Sequence, residues 1–281
     1  MFKEDNVEQA IIEQLKELGY EYQYAPDIER DYKEAILKDV FYESLYKINK
    51  GITEDIADEV YRKIRNFHAI DLVEANYEFY HMLYAGVEVP IEGDKTFVAK
   101  LIDKENIDNN LFQVLNQYTV IEYKEKRPDV VVFINGIPLV VFELKNAINE
   151  DTTIENAYNQ IKNYQKDIKT LFYYNAFSVI SDGINAKIGT ITADFNRFMT
   201  WKSKNGEKPE DNINQIDVLL NGVFRKDRLI NIISNFILFQ NKEKGRIKIL
   251  AGYHQYFAVE KSIKSTLKAL NEHTGKAGVV W

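Results

Sequence analysis

The chain has 281 residues, with 36 basic and 43 acidic side chains for a net charge of −7, and no cysteine. The missing cysteines exclude a disulfide framework and a Cys-ligated zinc site. With 45% hydrophobic and 13% aromatic residues against 13 Gly and 5 Pro, the composition is that of a core-forming protein of one large domain or two smaller ones, not a disordered or fibrous chain. The negative net charge argues at first against a nucleic-acid partner, because phosphate contacts depend on Lys and Arg. The charge is uneven, however: residues 1–60 carry 7 basic and 16 acidic side chains, and residues 121–281 carry 23 and 18. The acidic front is compatible with a solvated helical surface or with a docking face. The start MFKEDN has no apolar stretch of the kind that opens a leader, and no run approaches the roughly 18–20 apolar residues that span a bilayer. A cytoplasmic protein is expected.

Val7, Ile11, Ile12, Leu15 and Leu18 recur at helical spacing and Gly19 follows as a cap. Further helices are predicted over 31–48, 53–67 and 71–84, and Gly86 ends this helical extension. Strand-like pieces follow at 87–91, 96–102 and 118–123. Residues 129–134 (DVVVFI) and 137–145 (IPLVVFELK), joined at Asn135-Gly136, read as a hairpin. Such continuous apolarity implies strands buried on both faces, in the middle of a sheet covered by helices. A helix over 153–168, strands at 176–181 and 186–191, a polar loop at 203–215, a helix over 229–239, a charged joint at 241–246 and a last helix over 259–270 complete the chain. The class is α/β.

Asp129 and Glu143 do not belong in such strands unless each is paired or binds a metal. Glu143 and Lys145, two residues apart, share a face. A two-residue turn at Asn135-Gly136 would pair Asp129 with Phe142 and place Glu143 on the opposite face. A three-residue turn ending in a Gly136 bulge, or an equivalent bulge elsewhere in the hairpin, brings both carboxylates to one face. We expect the bulge. Two carboxylates and a lysine at a sheet edge suit Mg²⁺, which prefers oxygen ligands and keeps several waters. The metal would activate water, and Lys145 could orient the nucleophile or steady the pentacovalent phosphorus. A buried Glu143–Lys145 ion pair, with Asp129 capping the strand start, accounts equally well for the spacing.

Pro128-Asp129 and Glu143-Leu144-Lys145 together resemble the motif of the PD-(D/E)XK nuclease superfamily. RPDVVVFINGIPLVVFELKN, the QIKNY segment with Gln160 and Tyr164, the SDG at 181–183, IGTITADFNRFMTWK and YHQYFAVEKSI extend the resemblance over almost the whole chain. It is to the N-terminal part of the motor and endonuclease subunit of type I restriction enzymes. This implies a restriction-endonuclease-like core with a mixed central sheet flanked by helices, plus an N-terminal helical extension. It also implies Asp129 and Glu143 as metal ligands, Lys145 as the catalytic lysine, and Gln160 and Tyr164 as a QxxxY motif engaged in DNA contact and cleavage. Tyr164 could instead be a helix residue packing on the sheet. Glu8 sits where relatives often carry a helix-one glutamate facing the metal, which implies it as a third metal ligand.

Tyr253, His254 and Gln255 resemble the adenine-reading Q-motif of superfamily 2 motors, with Gln255 contacting nucleotide only in a full-length subunit. GKAGVVW, which in the family leads into the Walker A loop, ends the chain, and residues 270–277 do not substitute for that loop. The resemblance thus implies an endonuclease domain over 1–239 and a truncated start of a motor domain over 240–281, unable to hydrolyse ATP. The expected function is Mg²⁺-dependent cleavage of double-stranded DNA without sequence specificity of its own. In the full subunit it would be coupled to ATP-driven translocation, with the modification and specificity subunits as partners. A RecB-like or Holliday-junction-type repair nuclease, or a catalytically silent DNA-binding domain, are the alternatives. The four histidines have no zinc-binding spacing, and neither GxSxG nor GxGxxG occurs. Trp201 reads as a packing residue, although with Lys202 it could touch DNA or the motor interface. Lys124, Lys126 and Arg127 form a basic cluster that could hold a phosphate or simply end a strand.

Overall fold

The computed structural model describes residues 4–68, 71–145, 153–210 and 214–278. The chain begins with α1 (Glu4–Glu17) and β1 (Glu21–Tyr24). The helical extension follows as α2 (Lys38–Ile48), α3 (Glu54–Arg65) and α4 (Leu72–Ala85). Asp71 caps α4 by accepting the Val73 N–H at 2.8 Å. The chain then runs through β2 (Val87–Ile91), β3 (Lys95–Ala99), β4 (Phe112–Asn116), β5 (Val120–Ile121), β6 (Glu125–Lys126), β7 (Val130–Ile134) and β8 (Ile137–Leu144). Next come α5 (Ile154–Asp167), α6 (Lys169–Tyr173), β9 (Phe177–Ser181), β10 (Ala186–Gly189), α7 (Gln215–Val223) and α8 (Lys226–Asn235). A hairpin of β11 (Ile237–Lys242) and β12 (Gly245–Leu250) leads to α9 (Tyr253–Asn271).

The central sheet has six strands in the order β1-β4-β7-β8-β9-β10. β1–β4 and β8–β9 are parallel, and the other neighbours are antiparallel. The fold is therefore α/β with a mixed sheet flanked by helices, as expected of a restriction-endonuclease-like core. Every residue of β7 and β8 is buried, which is why their sequences are continuous apolar runs rather than alternating ones.

Where the structure departs from the sequence expectation, local chemistry gives the reason. The helix predicted over 31–48 begins only at Lys38, because the Asp31 side chain accepts the Lys33 N–H at 2.9 Å and closes a turn instead. The strand expected at 118–123 shrinks to Val120–Ile121. Gln117 before it has a positive φ of 56°, and Tyr118 turns into the core to donate to the Ala35 carbonyl at 3.1 Å. The helix expected over 229–239 ends at Asn235, and 237–242 instead pairs with 245–250 as a hairpin whose tip is the supposed charged joint. The expected domain boundary at 239/240 falls inside β11. Trp201 is buried, donates to the Ser203 carbonyl at 2.8 Å and packs against Tyr256 and Phe257 of α9.

The hairpin at the centre uses two irregularities. Ile134 pairs with Ile137, so Asn135 and Gly136 form a two-residue turn with φ values of 53° and 75°, the type whose twist matches the flanking strands. Asn135 is locked there by accepting the Leu111 N–H and donating to Leu101 and Asn110. The bulge expected of this hairpin lies in β8, where the register shifts so that Phe133 faces Pro138 and Val132 faces Val140, leaving Leu139 as the extra residue.

Candidate active site

Beyond the bulge Val130 pairs with Phe142, so the next pair along the ladder is Asp129 and Glu143. The single extra residue at Leu139 thus brings both carboxylates to one face at one end of two fully buried strands. Phe142 takes the other face, with its ring 5.3 Å from that of Phe224 just after α7. Asp129 Oδ2 accepts the Leu144 N–H at 2.7 Å. Lys145 continues the parallel pairing, its N–H donating to the Ser181 carbonyl of β9 at 2.8 Å. Its Nζ reaches back to Glu143 Oε1 at 2.5 Å and to the Leu144 carbonyl at 3.1 Å. The Glu143 side chain is only 2% exposed and that of Lys145 21%. The ion pair and the strand-start contact foreseen as the simple alternative are both present, on the same side chains that would hold a metal.

α5 adds two polar groups above β8. Gln160 and Tyr164, one turn apart, face the same way, and Gln160 Nε2 donates to the Tyr164 hydroxyl at 3.2 Å. The hydroxyl in turn donates to the Arg127 carbonyl at 3.4 Å, two residues before Asp129. Burial first, and then the negative charge of Glu143, push the Tyr164 phenol well above its ordinary range, so it stays protonated. Tyr164 is therefore both a packed core residue and a neighbour of the carboxylates.

Glu8 reaches the same end of the sheet from α1. Its Oε1 accepts from Asn116 Nδ2 at 2.6 Å and its Oε2 from Gln117 Nε2 at 2.9 Å. Gln117 is also bonded through its backbone N–H to the Asp129 carbonyl at 3.0 Å. Sequence reasoning missed these two amides. They end a strand with a weak apolar pattern, and nothing in LNQY marks them as partners of a residue more than a hundred positions away. Among the described residues no group of three His, Asp or Glu side chains is placed to hold a metal ion by itself. The donor chemistry still fits a hard cation: two carboxylates on adjacent strands, one already carrying an ammonium where a buried carboxylate requires positive charge.

The other residues singled out in the sequence make contacts of their own. Lys124 and Lys126 both pair with Asp167 near the end of α5, at 3.2 and 3.3 Å. Asp182 of the SDG segment accepts the Ile184 and Asn185 N–H groups, shaping the turn between β9 and β10. Gln255 lies in the first turn of α9, where its Oε1 accepts the Gly252 N–H at 2.8 Å, a capping contact.

Residues 1–197 match the family model described as the N terminus of the type I restriction enzyme R protein. The chain is 35% identical over 98% of its length to the MjaIXP type I restriction enzyme endonuclease subunit of Methanocaldococcus jannaschii, a provisional name, and spans 29% of that protein. It is 34% identical over its whole length to the type I restriction enzyme HindI endonuclease subunit of Haemophilus influenzae, spanning 28% of it. A type I restriction enzyme endonuclease subunit of Staphylococcus aureus is 29% identical over 68% of the chain, which spans 19% of that relative. The chain belongs to the type I restriction enzyme R protein family and corresponds to less than a third of the length of these endonuclease subunits.

Proposed function

We propose that this chain is the Mg²⁺-dependent endonuclease domain of a type I restriction enzyme. It hydrolyses phosphodiester bonds of double-stranded DNA without sequence specificity of its own. The observation that carries this is the convergence of Asp129, Glu143 and Lys145 at the end of two strands otherwise built only of apolar side chains. Burying charge there costs stability, and a role in chemistry accounts for its being kept. Bound between the two carboxylates, Mg²⁺ would supply an activated water and neutralise charge growing on the phosphate. Asp129 is oriented for this by the Leu144 N–H. Glu143 is held on the same face by the β8 bulge and lies among apolar neighbours that exclude bulk water. Lys145, anchored through its backbone to β9, can move its ammonium from Glu143 to the attacking water or to a phosphate oxygen. Tyr164, fixed as a protonated hydroxyl donor, and Gln160 line the approach from α5.

The organisation carried over from the family belongs to the same proposal. The front of the chain would be the nuclease and its end the beginning of a motor, with the division expected at 239/240 moved past the β11–β12 hairpin, which a cut inside β11 would split. In the full subunit Gln255 would contact ATP, translocation would deliver DNA to the nuclease, and modification and specificity subunits would complete a cytoplasmic complex. Among the described residues no helix is long and apolar enough to cross a membrane. The test uses the complete subunit assembled with its partners. Asp129→Ala and Lys145→Ala should each lower DNA cleavage by at least about a hundredfold while ATP hydrolysis continues at the parental rate. Cleavage retained in either variant would refute the assignment.

A further inference from the structure

The Glu8 carboxylate is held more firmly than a helix-surface glutamate needs to be. Both of its oxygens receive a side-chain amide, from Asn116 at 2.6 Å and Gln117 at 2.9 Å. The orientation of the Asn116 amide follows from the carboxylate, which can only accept: its NH₂ faces Glu8 and its Oδ1 is left to accept the Tyr22 hydroxyl at 3.1 Å. Gln117 holds a positive φ of 56°, a backbone state that a non-glycine residue keeps only where its surroundings impose it, and that clusters at functional sites. What imposes it here is a double engagement: the side chain on Glu8, and the backbone N–H on the Asp129 carbonyl at 3.0 Å.

The path of α1 adds a second observation. Val7, next to Glu8, packs against the turn after β9, where a Cβ at Gly183 would lie 3.1 Å from Val7 Cγ2. The first turns of α1 thus touch the ends of both β9 and β4, whose places in the sheet lie on either side of β7 and β8. Yet Glu8, Asp129 and Glu143 do not form a three-carboxylate cage.

Resting on the metal-dependent reading above, we propose that Asn116 and Gln117 are positioning residues that hold Glu8 at the Asp129 end of the sheet, where it receives a water of the hydrated cation instead of binding the cation directly. A small divalent ion that keeps most of its waters needs such outer acceptors, and partners that orient them typically change metal affinity by 10–100-fold.

The experiment is an Mn²⁺ titration of the 281-residue chain, reading free Mn²⁺ by electron paramagnetic resonance alongside the melting temperature. Asn116→Ala and Gln117→Gly should each weaken Mn²⁺ binding by roughly tenfold. Gln117→Gly should leave the melting temperature unchanged or higher, since glycine accepts the left-handed backbone; a purely structural role would lower both together. Combining Gln117→Gly with Glu8→Gln should weaken binding no further than Glu8→Gln alone, the mark of one coupled unit. Parental affinity in both amide variants, with binding lost in Asp129→Ala, would overturn the proposal and leave the metal site standing. Parental affinity in Asp129→Ala would instead refute the metal reading on which it rests. A crystal with Mn²⁺ in which a Glu8 oxygen ligates the ion directly, at about 2.1 Å, would overturn the water-mediated arrangement.

Discussion

At the scale of single residues, the informative side chains are those that oppose the apolar logic of their strand. Asp129, Glu143 and Lys145 were legible in the sequence because a buried charge between Val and Phe requires a reason, and the structure brings all three together. Glu8 was legible only through resemblance, and Asn116 and Gln117 not at all, since amides carry no periodicity or charge signal. Tyr164 yields a prediction with a defined sign. Its phenol is raised above the ordinary value of 10.0, chiefly by burial, so it remains a hydrogen-bond donor throughout the neutral and mildly alkaline range. Single-turnover cleavage by the complete enzyme should therefore show no phenol limb below pH 10. Tyr164→Phe should lower the rate at every pH without changing the shape of the profile. A rate unchanged by Tyr164→Phe, or a limb that disappears in the variant, would contradict this role.

At the scale of elements, the legible ones were those whose patterning comes from their own segment. The β7–β8 hairpin shows this: apolar runs, Asn-Gly and two stray carboxylates together required a bulge, although its position at Leu139 could not be read. β1 (EYQY) was invisible because it is an edge strand exposed along its whole length. β4 (FQVLN) was hidden by Gln113 and Asn116, polar residues buried within a central strand. The apolar run of α8 continues into β11 with no breaker between them, so periodicity alone fused the two. The hairpin turn also gives a controlled test. A Cβ on Gly136 would lie 2.7 Å from the Leu37 carbonyl and 2.8 Å from the Phe41 nitrogen of α2, at φ 75°. Gly51 has a similar φ of 80° and nothing within 4 Å. Urea denaturation should therefore find Gly136→Ala destabilising by about 2–3 kcal/mol and Gly51→Ala by about 1 kcal/mol. Equal costs would mean that the turn is not docked on α2 as described.

At the scale of the whole molecule, the β11–β12 hairpin is tied to the helical extension by a buried lysine. Lys248 Nζ donates to Asn76 Oδ1 at 2.9 Å and to the Asn175 carbonyl at 2.6 Å, and lies 3.9 Å from the centre of the Tyr80 ring. Burial pushes this ammonium well below the usual lysine value of 10.5, and it pushes Lys162 on α5 down to about 8. Between those depressed values and 10.5 the unfolded chain holds protons that the folded chain lacks, so stability rises with pH. The buried phenols of Tyr20, Tyr80 and Tyr174 are raised above 10.0, so above pH 10 the unfolded chain ionises first and stability falls. The melting temperature should climb from pH 8 to about 10 and then decline, and Lys248→Met should flatten the climb. A climb of the same slope in the variant would remove Lys248 from this account. The net charge of −7 is the coarsest of these whole-molecule quantities, and two of the acids counted in it, Asp129 and Glu143, are proposed here as metal ligands rather than surface charge.

The site at the end of β7 and β8 is tested most directly by anomalous diffraction from a crystal of this chain soaked in Mn²⁺. The expected result is an anomalous peak between the Asp129 and Glu143 carboxylates, with Lys145 Nζ displaced from Glu143. An intact Glu143–Lys145 pair with no peak there, at Mn²⁺ concentrations that support cleavage by the complete enzyme, would contradict it.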